Sequence, residues 1–97
     1  MEFSGKKVTV VGTGISGIGA VGLLNAVGAE VVLYDGNEKL KIEDIEKKLG
    51  TYKAEIVLGE LTKELTDSSD LLVISPGVPI DSPVVKAFEA AGVPVWG

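Results

Sequence analysis

The residues best suited to chemistry are Gly12-Thr13-Gly14-Ile15-Ser16-Gly17, a GxGxxG string between a β-branched run and a stretch rich in Ala and Leu. In a strand-to-helix turn each glycine has a purpose. Gly12 permits the tight turn, Gly14 lets the backbone approach a ligand with no Cβ in the way, and Gly17 lets the helix pack close. Free N–H groups near Ile15 and Ser16, backed by the helix dipole, then form a site for a pyrophosphate. The plainer alternative is that the glycines serve packing alone. Gly19 and Gly22, further along the helix, are expected to be of that kind, letting it lie close to the sheet.

Two more clusters accompany the glycine string. Asp35 ends the second apolar run, 18 residues after Gly17, a spacing that suits a carboxylate accepting hydrogen bonds from a ribose or base. It also opens the turn cluster Asp35-Gly36-Asn37, so a turn-initiating role is compatible with the same residue. No Lys or Arg directly follows it, so a 2′-phosphate lacks a partner and NADP is not expected. The third cluster is Ser75-Pro76-Gly77-Val78-Pro79. Pro at the second turn position and Gly at the third specify a type II turn. Its hydroxyl and amides can face a ligand, or the segment can be no more than a sharp bend before a helix.

Composition removes most other chemistry. The 97 residues include no His, Cys or Arg, and nine Lys stand against fourteen Asp and Glu for a net charge of −5. There is no thiolate, no base for a triad, no zinc site and no guanidinium clamp, so an anion must be held by backbone amides or Lys. Ser16 and Ser75 have no base to activate them. Glu43, Asp44 and Glu46 belong to a wet helix face, and Glu60, Glu64, Asp67 and Asp70 are scattered. None forms a glycosidase pair or a calcium loop. No catalytic residue and no metal site is expected. An acidic chain without a basic face does not suit nucleic acid. No apolar stretch nears the ~20 residues that span a bilayer, and the start lacks the features of a signal peptide, so the cytoplasm is the default compartment.

The elements that must hold these clusters alternate. Strands are expected at Lys7–Val11, Glu30–Tyr34, Glu55–Leu58, Leu71–Ile74 and Val93–Trp96, the fourth inside the sheet because it is wholly apolar, the last an edge because of Pro94. Helices are expected from Ile15 to about Val27, along the stripe Ile42, Ile45 and Leu49, as a turn over Leu61–Leu65, and after Ser82-Pro83 with a stripe of Val84, Phe88 and Ala91. Glu43 with Lys47 and Asp44 with Lys48 are spaced as i,i+4 pairs on the wet side of the second helix. Trp96 suits a core or an interface better than a stacking platform. Such alternation implies an α/β fold: a Rossmann-like, doubly wound, five-stranded parallel sheet of order 3-2-1-4-5 with helices on both faces, as one domain. That order places the loops after strands one, two and four side by side at the point where the chain reverses, where such sheets bind ligands.

With the three loops in place, the chain resembles the N-terminal domain of the Mur ligases, most of all the branch that adds D-glutamate to UDP-N-acetylmuramoyl-L-alanine. The resemblance is carried by Gly5 through Gly17, by Tyr34-Asp35, and by Ser75-Pro76-Gly77-Val78-Pro79, the last being foreign to ordinary dinucleotide domains. It extends over essentially the whole chain. It implies a domain that holds the UDP end of the substrate, with the diphosphate at Gly14, Ile15, Ser16 and Gly17 beside Gly12. The uracil then meets Asp35, Gly36 and Asn37, and Ser75, Pro76 and Gly77 line the same pocket. Some family members carry Thr and Arg after the acid, where this chain has Gly36 and Asn37, so backbone donors replace side chains there. The resemblance further implies ATP and magnesium for the longer ligase, handled by central and C-terminal domains of the same polypeptide. This chain has no Gly-x-x-x-x-Gly-Lys-Ser/Thr and is expected to be inactive alone. The competing expectation is an NAD- or FAD-binding half-domain of a redox enzyme, or a nucleotide-sensing regulatory module. A dinucleotide needs a second mononucleotide half that 97 residues cannot supply.

Overall fold

The computed structural model describes residues 2–97. Five strands and four helices alternate along them: β1 (Lys7–Val11), α1 (Ile15–Ala26), β2 (Glu30–Asp35), α2 (Ile42–Leu49), β3 (Glu55–Leu58), α3 (Lys63–Ser68), β4 (Leu71–Ile74), α4 (Pro83–Ala90) and β5 (Val95–Trp96). The strands form one sheet of order β3-β2-β1-β4-β5, every pair parallel, as the sequence implies.

Period-two alternation sorts each strand between two cores. Val8, Val10, Val31, Leu33 and Leu71 face α1 and α2 and pack on Val21, Leu24, Ile45 and Leu49. Val11, Val32, Tyr34, Leu72 and Ile74 face α3 and α4 and pack on Leu65, Val85 and Phe88. Strands buried on both faces explain why their sequences read as unbroken apolar runs. β4 lies between β1 and β5, inside the sheet as expected.

Thr9 is a polar residue at 0% exposure in the middle of β1, and it is fully provided for. The Ser69 hydroxyl donates to the Leu65 carbonyl at 2.7 Å, so its remaining lone pair accepts from the Thr9 hydroxyl, also at 2.7 Å. This relay joins the central strand to the end of α3.

Four details differ from the sequence expectation. The helical turn placed at Leu61–Leu65 is α3, shifted to Lys63–Ser68, because Thr62 caps it by accepting from the Leu65 amide. On α4 Phe88 is buried and Val84 packs half-buried, as expected, but Val85 is buried too and Ala91, at the cap, is exposed. Ile42 begins α2 but is 48% exposed, leaving Ile45 and Leu49 as the buried stripe. The last strand is only Val95–Trp96, since Pro94 has no N–H to join a ladder and its carbonyl accepts from Leu72.

Removing the relay's middle member tests its importance. Ser69→Ala strands a buried Thr9 hydroxyl and is expected to lower stability by about 1–3 kcal/mol, with part regained in the double variant Thr9→Val/Ser69→Ala. Urea unfolding midpoints measure both. A second test uses Tyr34, whose buried phenol is held above its ordinary 10.0 first by burial, then by the carboxylates of Asp35 and Glu60. The folded state keeps the proton where the unfolded chain gives it up, so this contribution is complete below about pH 10 and is lost as pH rises. Tyr34→Phe is expected to flatten the alkaline limb of a stability-against-pH curve.

Candidate nucleotide-binding site

Gly12 leaves β1 with φ +108°, a conformation that disfavours any side chain, and its amide donates to the Tyr34 carbonyl of β2 at 2.9 Å. Gly14 is the N-cap of α1, extended at φ −76° and ψ −176°, with no side-chain cap. The amides of Ile15, Ser16 and Gly17, at the first three helical positions, have no acceptor within the helix. No acid lies in that first turn, so the positive end of the helix dipole is unopposed.

The motif glycines divide by what the fold asks of them. A Cβ on Gly17 would lie 1.9 Å from the Gly12 carbonyl oxygen, and one on Gly12 would lie 2.8 Å from Ser75 Oγ. Both are demanded by packing. A Cβ on Gly14 would meet nothing within 4 Å, and the same holds for Gly77. These two occupy unstrained backbone and leave open space at the same end of the sheet. Gly19 and Gly22 correct the sequence expectation. Gly19 faces open space, and Gly22 is crowded by the Tyr52 ring rather than by the sheet.

The three loops are braced to one another because β2, β1 and β4 are neighbours. Thr13 donates its hydroxyl to Asp35 Oδ2 at 3.0 Å, and Asn37 donates its amide to Asp35 Oδ1 at 3.0 Å. Asp35 therefore serves as turn initiator and brace, with lone pairs still free on a half-exposed carboxylate. Asn37 repeats the device, its Oδ1 accepting from the Lys39 amide at 3.0 Å. Gly36 is exposed beside them. From β4, Ser75 donates both its hydroxyl (2.9 Å) and its amide (3.2 Å) to the Val11 carbonyl. That hydroxyl proton is committed to the fold, so only acceptor capacity faces outward. The Ser75-Pro76-Gly77-Val78 turn closes by Val78 donating to the Ser75 carbonyl at 2.9 Å. Gly77 is not at positive φ, so the expected type II turn is absent. Pro76 and Gly77 are exposed at its tip.

Sequence reasoning missed Thr13. It sits between two motif glycines, and its 7% exposure together with the bond to Asp35 makes it the link between the first two loops. A hydroxyl inside a GxGxxG string facing an acid at the next strand end was the available signal. The side chain of Ile15 was also overlooked: it is 95% exposed, an apolar surface beside the free amides.

An open groove of about 790 Å³ lies elsewhere, at the amino ends of β1, β2 and β3. Two of its polar side chains are already partnered: Asn25 bonds the Lys53 backbone in both directions, at 2.9 and 2.6 Å, and Lys7 Nζ donates to Ser68 Oγ at 2.7 Å. Parallel sheets bind ligands at the opposite, carboxyl end, where the three loops meet. No helix among the described residues is long and apolar enough to cross a membrane.

Fold and loops together define a Rossmann-like α/β domain in which three loops meet at the carboxyl end of the sheet beside the free amides that open α1. Solved structures agree on the fold: shikimate dehydrogenase from Aquifex aeolicus superposes with a TM-score of 0.68 at 17% identity, over 98% of this chain and 43% of that one. D-lactate dehydrogenase from Escherichia coli gives 0.64 at 22% identity, over 98% and 28%. The family model of the Mur ligase MurD-like N-terminal domain matches residues 6–97, and the chain belongs to that family. It is 62% identical over its whole length to the UDP-N-acetylmuramoylalanine--D-glutamate ligase of Lachnospira eligens and 50% identical to that of Lachnoclostridium phytofermentans. The ligase of the same name from Myxococcus xanthus is 38% identical. The chain spans 22%, 22% and 21% of the length of these three curated relatives.

Two substitutions separate the two kinds of glycine. Gly17→Ala is expected to cost about 1–3 kcal/mol or more by driving α1 off the Gly12 carbonyl. Gly14→Ala is expected to change stability by no more than about 0.5 kcal/mol, since the space is open and the backbone ordinary. Thermal or urea denaturation followed by circular dichroism reads both.

Proposed function

We propose that this chain is the substrate-holding domain of a cytoplasmic, ATP-dependent ligase of peptidoglycan synthesis that joins D-glutamate to UDP-N-acetylmuramoyl-L-alanine, and that it binds the UDP end. The observation that carries this is the unopposed first turn of α1, its amides free and Gly14 clear of the fold, braced beside Asp35 and the Ser75 loop. Family membership and the names of the relatives support the choice of a uridine nucleotide over NAD. The diphosphate lies over Gly14, Ile15, Ser16 and Gly17, held by backbone donors as charge-assisted bonds. The uracil meets the Asp35-Gly36-Asn37 turn, where the carboxylate accepts and the Gly36 amide donates, the Asn37 amide being held by Asp35. Gly12, Ser75, Pro76 and Gly77 form the floor.

The residues present do not fit ATP or magnesium. The sequence has no Gly-x-x-x-x-Gly-Lys-Ser/Thr, and among the described residues no group of three or more His, Cys, Asp or Glu is placed to hold a metal ion. Activation of the substrate carboxylate is assigned to the remainder of the longer ligase, and this domain contributes position: it fixes the nucleotide so that the distant carboxylate is delivered to the reacting groups.

Calorimetric titration with UDP, UDP-N-acetylmuramoyl-L-alanine and NADH tests the assignment, in this chain and in the longer ligase. Both uridine nucleotides are expected to bind, and tighter binding of NADH would overturn it. Asp35→Ala is expected to weaken uridine-nucleotide binding by about 1–3 kcal/mol, since it removes an acceptor and the brace on Thr13. An unchanged affinity would leave Asp35 as a turn residue only.

A further inference from the structure

α1 carries no charged side chain in its 12 residues, yet only Gly17, Val21 and Leu24 are buried. A helix apolar all round belongs inside a protein. The same chain dresses α2 differently, with Glu43, Asp44, Glu46, Lys47 and Lys48 on its wet side. On α1 the matching positions are Leu23, 74% exposed, and Val27 at the cap, 49% exposed.

The direction of that bare flank follows from its neighbours. Gly22 abuts Tyr52 and Asn25 bonds Lys53, so these two mark the flank toward α2 and β3. At about 100° per residue, Ala20, Leu23 and Val27 fall on the opposite flank, the side turned toward β4 and β5 in the strand order. Both α3 and α4 contribute to the core on the other face of the sheet, which leaves this one uncovered there. What lies on it is apolar as well: half-buried Val73, Trp96 at the paired position on β5, and Phe3, whose ring meets Trp96 edge-on at 5.7 Å and 84°. The helix flank and the sheet margin thus lie on the same face of the sheet with no charged side chain among these positions and exposed apolar groups on each, a shelf of the sort that marks a contact surface.

We propose that the shelf formed by Leu23, Val27, Phe3, Val73 and Trp96 is covered in the intact protein by an apolar segment of the same polypeptide, drawn from the part that follows this domain in the longer relatives. This chain accounts for 22% of the length of the Lachnospira eligens ligase, so more than three-quarters of such a polypeptide is available to supply the cover. In those relatives that portion follows the strand bearing Trp96, one wall of the shelf, so the contact forms at short tether and high effective concentration. The absence of charge on the helix flank selects an apolar partner surface over a basic or acidic one. The inference rests on family membership and on packing, and stands independently of which nucleotide the glycine loop takes.

Thiol labelling in the full-length ligase tests it. Leu23→Cys and, separately, Val27→Cys are placed in a background freed of other cysteines, with Lys47→Cys on the wet side of α2 as the exposed control. Maleimide labelling rates are each normalised to the rate in urea. Both shelf positions are expected to label at least about tenfold more slowly than the control, and equally so over about two decades of protein dilution. Labelling as fast as the control at both positions would overturn the proposal. Protection that disappears on dilution would also overturn it, since the cover would then be a second copy of the chain.

Discussion

The contact on which the site depends is that between the Gly17 α-carbon and the carbonyl oxygen of Gly12, where a Cβ would stand 1.9 Å from that oxygen. Only at this separation can α1 begin directly over the end of the central strand. The closeness sets the direction of the helix axis, and with it the direction of the amides at Ile15, Ser16 and Gly17. It also explains the positive φ at Gly12, which turns the chain sharply enough for the helix to start three residues later, at Ile15. A site of free N–H groups needs no side chain of its own, but it needs this backbone geometry, and the geometry needs two residues that lack a Cβ.

Bracing then makes the site a unit. The Val11 carbonyl at the end of β1 receives two bonds from Ser75, Thr13 reaches across to Asp35, and Gly12 bonds Tyr34. Each bond links two adjacent strand ends, so the three loops move together or not at all. This arrangement reconciles an acidic chain with the anionic ligand proposed for it. Net charge acts at long range and is screened by salt, whereas amides aimed at a phosphate act at contact and are opposed here by no acid in the first turn.

Much of this was legible in the sequence, and the limits follow a pattern. Strand order could be read because unbroken apolar runs such as Leu71–Ile74 require burial on both faces, and right-handed crossovers leave few topologies. The purposes of Gly12 and Gly17 could be read because a GxGxxG between strand and helix has one geometric solution. What failed was anything decided by a neighbour distant in sequence. Gly22 was expected to lie against the sheet but meets Tyr52, thirty residues on. The Ser75 hydroxyl points to Val11 because β4 pairs with β1. The Ser75-Pro76-Gly77-Val78 turn took non-positive φ at Gly77 although its residues specify type II. On α4 Phe88 was placed correctly, but Val85 is buried more deeply than Val84 because the two are adjacent and equally apolar, so only the packing angle against the sheet chooses between them.

That last class of failure points to a rule for glycines in such loops. A glycine whose missing Cβ would strike the protein is explained by the fold and says nothing of a ligand. A glycine in ordinary backbone, facing empty space, is not explained by the fold at all; alanine would fit there and would hold the unfolded chain to fewer conformations. Gly14 and Gly77 are of the second kind and stand at the carboxyl end of the sheet, on neighbouring loops. Gly19 is also free of contacts but lies on the outer side of α1, away from that end, where it has no loop to share with another. The signal is therefore the coincidence of two unforced glycines on neighbouring loops at one end of the sheet, beside amides without acceptors. Packing requires neither residue, and the proposed nucleotide would make use of the space that both leave open.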